Sequence, residues 1–209
     1  MVSFFFKGVI MRSIAVVMLT ASVALSAPML KDRDVFFYPT QAGDESVYEE
    51  QTDGNTSELK VTVTKVEKTT GGHIITVRWG NEPGKTLENR VTVTRNEVTE
   101  LNGPPSNPKP GAPHLRLPAK EGLTWKFEPY GPDKPEAANS VYRVAREEET
   151  VVTPAGTFKA VRVEVKTGPN GIFKDSVEWH APRVGLVKVE MKVGDTRRTV
   201  VLKSFTPGK

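Results

Sequence analysis

The chain has 209 residues, with 29 Lys and Arg against 25 Asp and Glu, and no cysteine. Disulfides, thiolate metal sites and a cysteine-linked lipid anchor are thereby excluded, and a balance so near neutrality gives no compositional reason for nucleic-acid binding. The chain is long enough to bury a real core without such staples.

Lys7 and Arg12 precede an uncharged run from Ser13 to Leu30 containing IAVVMLTASVAL, and the charged KDRD follows at Lys31 to Asp34. That order predicts a secretory signal peptide. Ala24, Ser26 and Ala27 supply small residues for cleavage, and a cut after Ser26 avoids a site directly before Pro28. Residues 1–26 are therefore expected to be removed, whether translation starts at Met1 or Met11. An uncleaved anchor is the competing expectation, because the run nears the ~20 residues of a spanning helix, but Pro28 and the small polar residues favour cleavage. The predicted product is periplasmic or secreted and keeps no stable membrane span.

Beyond residue 27, period-2 alternation with β-branched residues dominates, as expected for strands with one buried face. Leu59, Val61 and Val63 alternate with Lys60, Thr62 and Thr64 until the phase slips at Val66, which predicts a bulge or a strand end. After the Gly71-Gly72 turn, His73, Ile75, Val77 and Trp79 share one face, and Ile74 on the other suggests cover on both sides. Leu87, Val91 and Val93 continue the pattern toward Leu101.

Residues 102–113, NGPPSNPKPGAP, are too rich in proline for a regular element and predict a linker or crossing loop between two halves, 27–101 and 114–209, of one domain. The halves resemble each other. Pro39 and Gly43 precede SVYEEQ as Pro118 and Gly122 precede LTWKFE, with aromatics at Tyr48 and Phe127, which suggests a duplicated β-meander. A short helix around Glu136 to Tyr142 has no cap. Toward the C-terminus, Phe173, Asp175, Val177 and Trp179 alternate with Lys174, Ser176, Glu178 and His180; Val187 to Val193 forms another strand; Gly194-Asp195 predicts a type II′ hairpin into a last strand near 197–205. The predicted fold is all-β: a curved antiparallel sheet, half-barrel or open barrel.

Chemistry-bearing motifs are sparse. His73, His114 and His180 lie in separate segments without metal-ligand spacing, and Glu147-Glu148-Glu149 lacks the pattern of a calcium loop, so no metal or cofactor is expected. Catalytic residues are likewise not expected, since no nucleophile elbow or phosphate loop is present. Glu178 and His180 alternate onto one face, and a hydrolase built on them is the minor alternative. Basic residues from Lys174 to Lys203 mostly oppose apolar positions, as on a solvated sheet face; an anionic envelope partner such as lipid headgroups is the other reading. Aromatics on separate strands are more suggestive: Trp79, Trp125, Phe158, Phe173 and Trp179 would converge if the sheet curves. Trp79, Trp125, Phe173, Trp179 and His180 are the candidate ligand-binding residues, for a lipid or other apolar envelope molecule. The alternative is a structural module that pairs with an envelope protein. Trp179, Val187 and Val189 are expected on one common apolar side.

EWHAPRVGLVK at Glu178 to Lys188 resembles the W-Y-A-P-G-V-G-L-V-K signature of small exported bacterial β proteins of unknown function. Val-Thr-Pro-Ala-Gly-Thr-Phe at Val152 to Phe158 and the Pro-x-x-x-Gly-x-x-Trp of Pro118 to Trp125 are similar to that group too. His180 stands where Tyr is usual, and Arg183 where Gly is usual. The resemblance implies a curved antiparallel sheet, similar to the half-barrels of outer-membrane lipoprotein carriers, and no known catalytic residue.

Overall fold

The computed structural model describes residues 35–80, 86–127, 140–167, 173–193 and 196–209. The predicted signal peptide and the Gly194-Asp195 turn lie outside them, as do residues 136–139 of the helix considered above. The first half holds β1 (Glu45–Thr52), β2 (Asn55–Thr69), β3 (Gly72–Trp79), β4 (Leu87–Thr94), β5 (Glu97–Asn102) and β6 (Lys109–Arg116). The second holds β7 (Thr124–Phe127), β8 (Ser140–Thr153), β9 (Gly156–Thr167), β10 (Phe173–Ala181), β11 (Gly185–Val193) and β12 (Thr196–Thr206). All pair antiparallel in one sheet ordered β6-β5-β4-β3-β2-β1-β12-β11-β10-β9-β8-β7. The fold is all-β, a nearly closed barrel whose halves are two six-stranded meanders joined at β1 and β12.

The alternation read from the sequence decides which side chains enter the barrel. Val61 and Val63, Ile75 and Val77, Val91 and Val93, and Val200 and Leu202 are buried, while Arg78 and Lys203 between or beside them are exposed. On β3 Ile74 is only half-buried, so burial there is mainly one-sided. The phase slip near Val66 is a bulge opposite β3, between Val63 and Lys65. Gly72 is required by close approach, because a Cβ there would stand 2.1 Å from the Val93 carbonyl oxygen.

The two meanders repeat each other in their hydrogen bonds. Gly43 and Gly122 both take left-handed backbone, at φ 87° and 85°. Gly43 N–H donates to the Val63 carbonyl and Val63 N–H to that of Asp44; Gly122 N–H donates to Val144 and Val144 N–H to Leu123, all at 2.8–2.9 Å. A bulge follows each time, at Val63/Lys65 and at Val144/Arg146.

The proline-rich segment corrects the expectation of a structureless crossing. Pro110 and Pro113 stand inside β6, which is an edge strand, where a missing N–H need not break a ladder. Residues 103–108 merely turn β5 into β6, and the passage between halves is 117–123. The turn from β10 to β11 departs from its usual glycine at a cost: Arg183 adopts φ 66°, and its N–H donates to the Phe36 carbonyl at 2.7 Å.

Edge strands β6 and β7 approach each other across a seam. The Trp125 indole on β7 donates from Nε1 to the Pro113 carbonyl on β6 at 2.7 Å and stacks on its cross-strand partner Tyr142, with ring centroids 5.4 Å apart. Elsewhere the long β8–β9 hairpin carries its tip to β11 and β12, and the Ala155 N–H donates to the Leu202 carbonyl at 3.2 Å.

Candidate functional site: the barrel lumen

One part of the barrel interior is solid. Ile75, Val93, Leu115, Val144 and Val163 are fully buried and fill it. The remainder is a cavity of about 740 Å³ walled by Val61, Val63, Val77, Val91, Val98 and Val165, with β11 adding Leu186, Val189 and Met191. Its volume falls within the ~300–1,000 Å³ typical of small-molecule sites.

A polar cluster interrupts this apolar wall. On β10, Glu178 and His180 both point inward, and His180 Nε2 lies 3.0 Å from Glu178 Oε2 in a hydrogen bond. His114 from β6 brings its Nδ1 to 4.0 Å from the same oxygen. Glu100 from β5 and Tyr142 from β8 complete the cluster, so four strands from both halves of the chain supply it. Deeper hydrogen bonds are already made. The Asp44 carboxylate accepts from the Gln41 and Gly208 N–H groups at 2.8 Å each, and the Tyr48 hydroxyl donates to the Leu186 carbonyl at 3.0 Å.

Burial governs the electrostatics here. It pushes the Tyr48 phenol up to about 12 and raises that of Tyr142, with the charges of Glu178 and Glu100 adding to the second. For Glu178 burial opposes ionisation, but the hydrogen bond from His180 and the nearby charges of His114 and His180 outweigh it, so its carboxyl stays below the usual range. A carboxyl with a lowered folded value contributes stability above the unfolded value and loses it as pH falls through the folded one. Acidification from about pH 7 to about pH 3 is therefore expected to lower the melting temperature of wild type more steeply than that of Glu178→Gln. Parallel melting curves for the two proteins would remove Glu178 from the account.

Among the described residues no serine or threonine hydroxyl hydrogen-bonds either imidazole, so the nucleophile–base contact of a hydrolase is not formed. No His/Asp/Glu group with metal-binding geometry occurs among them either.

The candidates from the sequence divide between the two faces. Trp79 and His180 line the lumen. Trp125 is buried at the seam rather than in the cavity wall. Trp179 is on the opposite face, and this corrects the expectation that it shares a side with Val189. Glu178 pairs with Val189 and both face the lumen, so Trp179, next along the strand, must point outward. There it is covered by its cross-strand neighbours, Lys188 at 4.8 Å and Arg162 at 5.8 Å from the ring centroid. The side chain of Phe173 lies outside the described residues. Glu100, His114 and Tyr142 were not candidates, because each stands alone in its own segment and meets the others only when the sheet curls.

Residues 130–194 match the DUF3108-like family model, a span that includes β8 to β11. The crystal structure of a candidate lipoprotein from Parabacteroides distasonis is similar in fold, with a TM-score of 0.53 and 17% identity over 82% of this chain and 99% of that one. A candidate exported protein with YmcC-like fold from Bacteroides fragilis is similar at a TM-score of 0.51 and 19% identity, over 82% of this chain and 99% of that one. Comparison with curated proteins gave no match.

Proposed function

We propose that the protein is an exported, non-enzymatic binding protein whose barrel lumen encloses one apolar or amphipathic envelope molecule. The cavity of about 740 Å³ carries this proposal: β-branched side chains wall much of it, and Glu100, His114, Tyr142, Glu178 and His180 set a polar cluster into that wall. An extended apolar body fits such a wall, and a polar head fits the cluster. Export is supported by the charged and apolar order of residues 7–34.

Pairing of an open sheet edge with an envelope protein is the weaker proposal. β6 carries two prolines and β7 has four residues, so both edges are poor templates for an added strand.

Native mass spectrometry of protein purified from its own host is expected to show one small apolar molecule retained per chain and lost on organic extraction. A lumen-filling Val77→Phe variant should carry none. Wild-type protein found only at its polypeptide mass, with a melting temperature that added amphiphiles do not raise, would count against an enclosed ligand.

A further inference from the structure

The chemistry of the lumen narrows the ligand class, provided the cavity is a binding site as proposed above. Three carboxylates face it, those of Asp44, Glu100 and Glu178, and no Lys or Arg lines it among the described residues. The Asp44 carboxylate is used up by two backbone N–H groups, and Glu178 is held by His180. The Glu100 carboxylate makes no ion pair or hydrogen bond with any described residue. Tyr142 is 5% exposed, yet its hydroxyl, facing the cavity under the influence of Glu178 and Glu100, also makes no hydrogen bond within the described protein. The hydroxyl oxygen itself opens onto the cavity, where a bound group can reach it. Its ring is fixed by stacking on Trp125, so the hydroxyl cannot readily turn away to find a partner.

We infer that this end of the lumen recognises a cationic group, an ammonium carried on an otherwise apolar ligand, between Glu100, Glu178 and the Tyr142 hydroxyl. An ammonium donates only, and here it meets two carboxylates and a phenol oxygen that all accept. A carboxylate or phosphate head meets like charge at Glu100 and Glu178, and the basic groups on the described wall are the His114 and His180 imidazoles, both of which lie against the Glu178 carboxylate. A neutral alcohol lies between, able to bond but gaining no charge attraction. The apolar remainder of the ligand takes up the valine wall.

Three probes of equal chain length separate these cases: n-decylammonium, n-decanol and n-decanoate, each below its micelle concentration, titrated into the full-length protein by calorimetry near neutral pH. The expected order of affinity is ammonium, then alcohol, then carboxylate. Glu100→Gln and Glu178→Gln should each weaken n-decylammonium by about tenfold or more, while n-decanol changes by no more than about twofold; Tyr142→Phe should show a smaller loss in the same direction. Glu100 has no protein partner to lose, so its variant folds even if Glu178→Gln does not. If all three probes bind wild type equally, or n-decanoate binds tightest, the cationic preference is wrong while the lumen remains a binding site. If none of them binds, both inferences fall together.

Discussion

Trp125→Ala is expected to cost about 3–5 kcal/mol, the usual toll for deleting a large buried aromatic. Single domains hold about 5–15 kcal/mol in all, so this is a substantial share of the total. For a chain of this size each kcal/mol moves the melting temperature by about 2–4 °C, and the drop should exceed about 6 °C. The position explains the severity. Trp125 is 4% exposed, and its indole is the contact that draws β7 toward β6, where no backbone ladder joins the two strands among the described residues. Trp125→Phe keeps an aromatic ring against Tyr142 but gives up the bond to Pro113 and part of the indole's volume, for a smaller cost of about 1–3 kcal/mol. Thermal melts of the two variants beside wild type check this. Should Trp125→Ala melt within about 2 °C of wild type, the seam is held by something else.

Leu202→Ala is expected to cost about 2–5 kcal/mol, since the side chain is fully buried and its loss leaves a cavity in a wall that can relax only partly. The same residue offers its carbonyl to the tip of the β8–β9 hairpin. Two readouts should therefore move together: a lower denaturant midpoint, and faster hydrogen exchange at the Ala155 N–H. An unchanged midpoint would contradict the packing described for β12. A lowered midpoint with unaltered exchange at Ala155 would show that the hairpin tip docks independently of that side chain.

Strand identity was readable from the sequence wherever β-branched residues alternate, because the pleat converts a period of two directly into buried and exposed faces. His73 to Trp79 and Arg197 to Phe205 are examples. Alternation separates Trp179 from Glu178 and His180 but does not say which of the two faces turns inward, and curvature decides that. Bulges shift the phase further: the one between Trp179 and His180 pairs Trp179 with Lys188 where an unbroken register would pair it with Val187, and so separates it from the face of Val189. Proline content misled in a different way. Pro110 and Pro113 are incompatible with a central strand but not with an edge, and edge or centre is a property of the sheet rather than of the segment. The polar cluster was the least legible part. Glu178 and His180 stand two residues apart, so alternation alone brings them together, whereas Glu100, His114 and Tyr142 reach them only through closure of the barrel.

The order of the strands also bears on how the barrel assembles. Among the described strands, ten pairings join strands consecutive in sequence and only β1 with β12 is distant, as shown by the ion pair of Arg198 with Glu50 across 148 positions. Hairpins between chain neighbours close small loops, while a large loop carries a higher entropic toll that must be met before its contacts form. Each meander can thus zip from its own turns, and the β1–β12 junction is left to unite two curved half-sheets already formed. At that stage the rim of β12, with eleven residues, is the longest unpaired edge among the described strands, and the eight-residue rim of β1 lacks the prolines that blunt the equally long β6. The interval before they meet is when a second copy of the chain could capture them, so aggregation during refolding should originate at the centre of the finished sheet and not at its native seam.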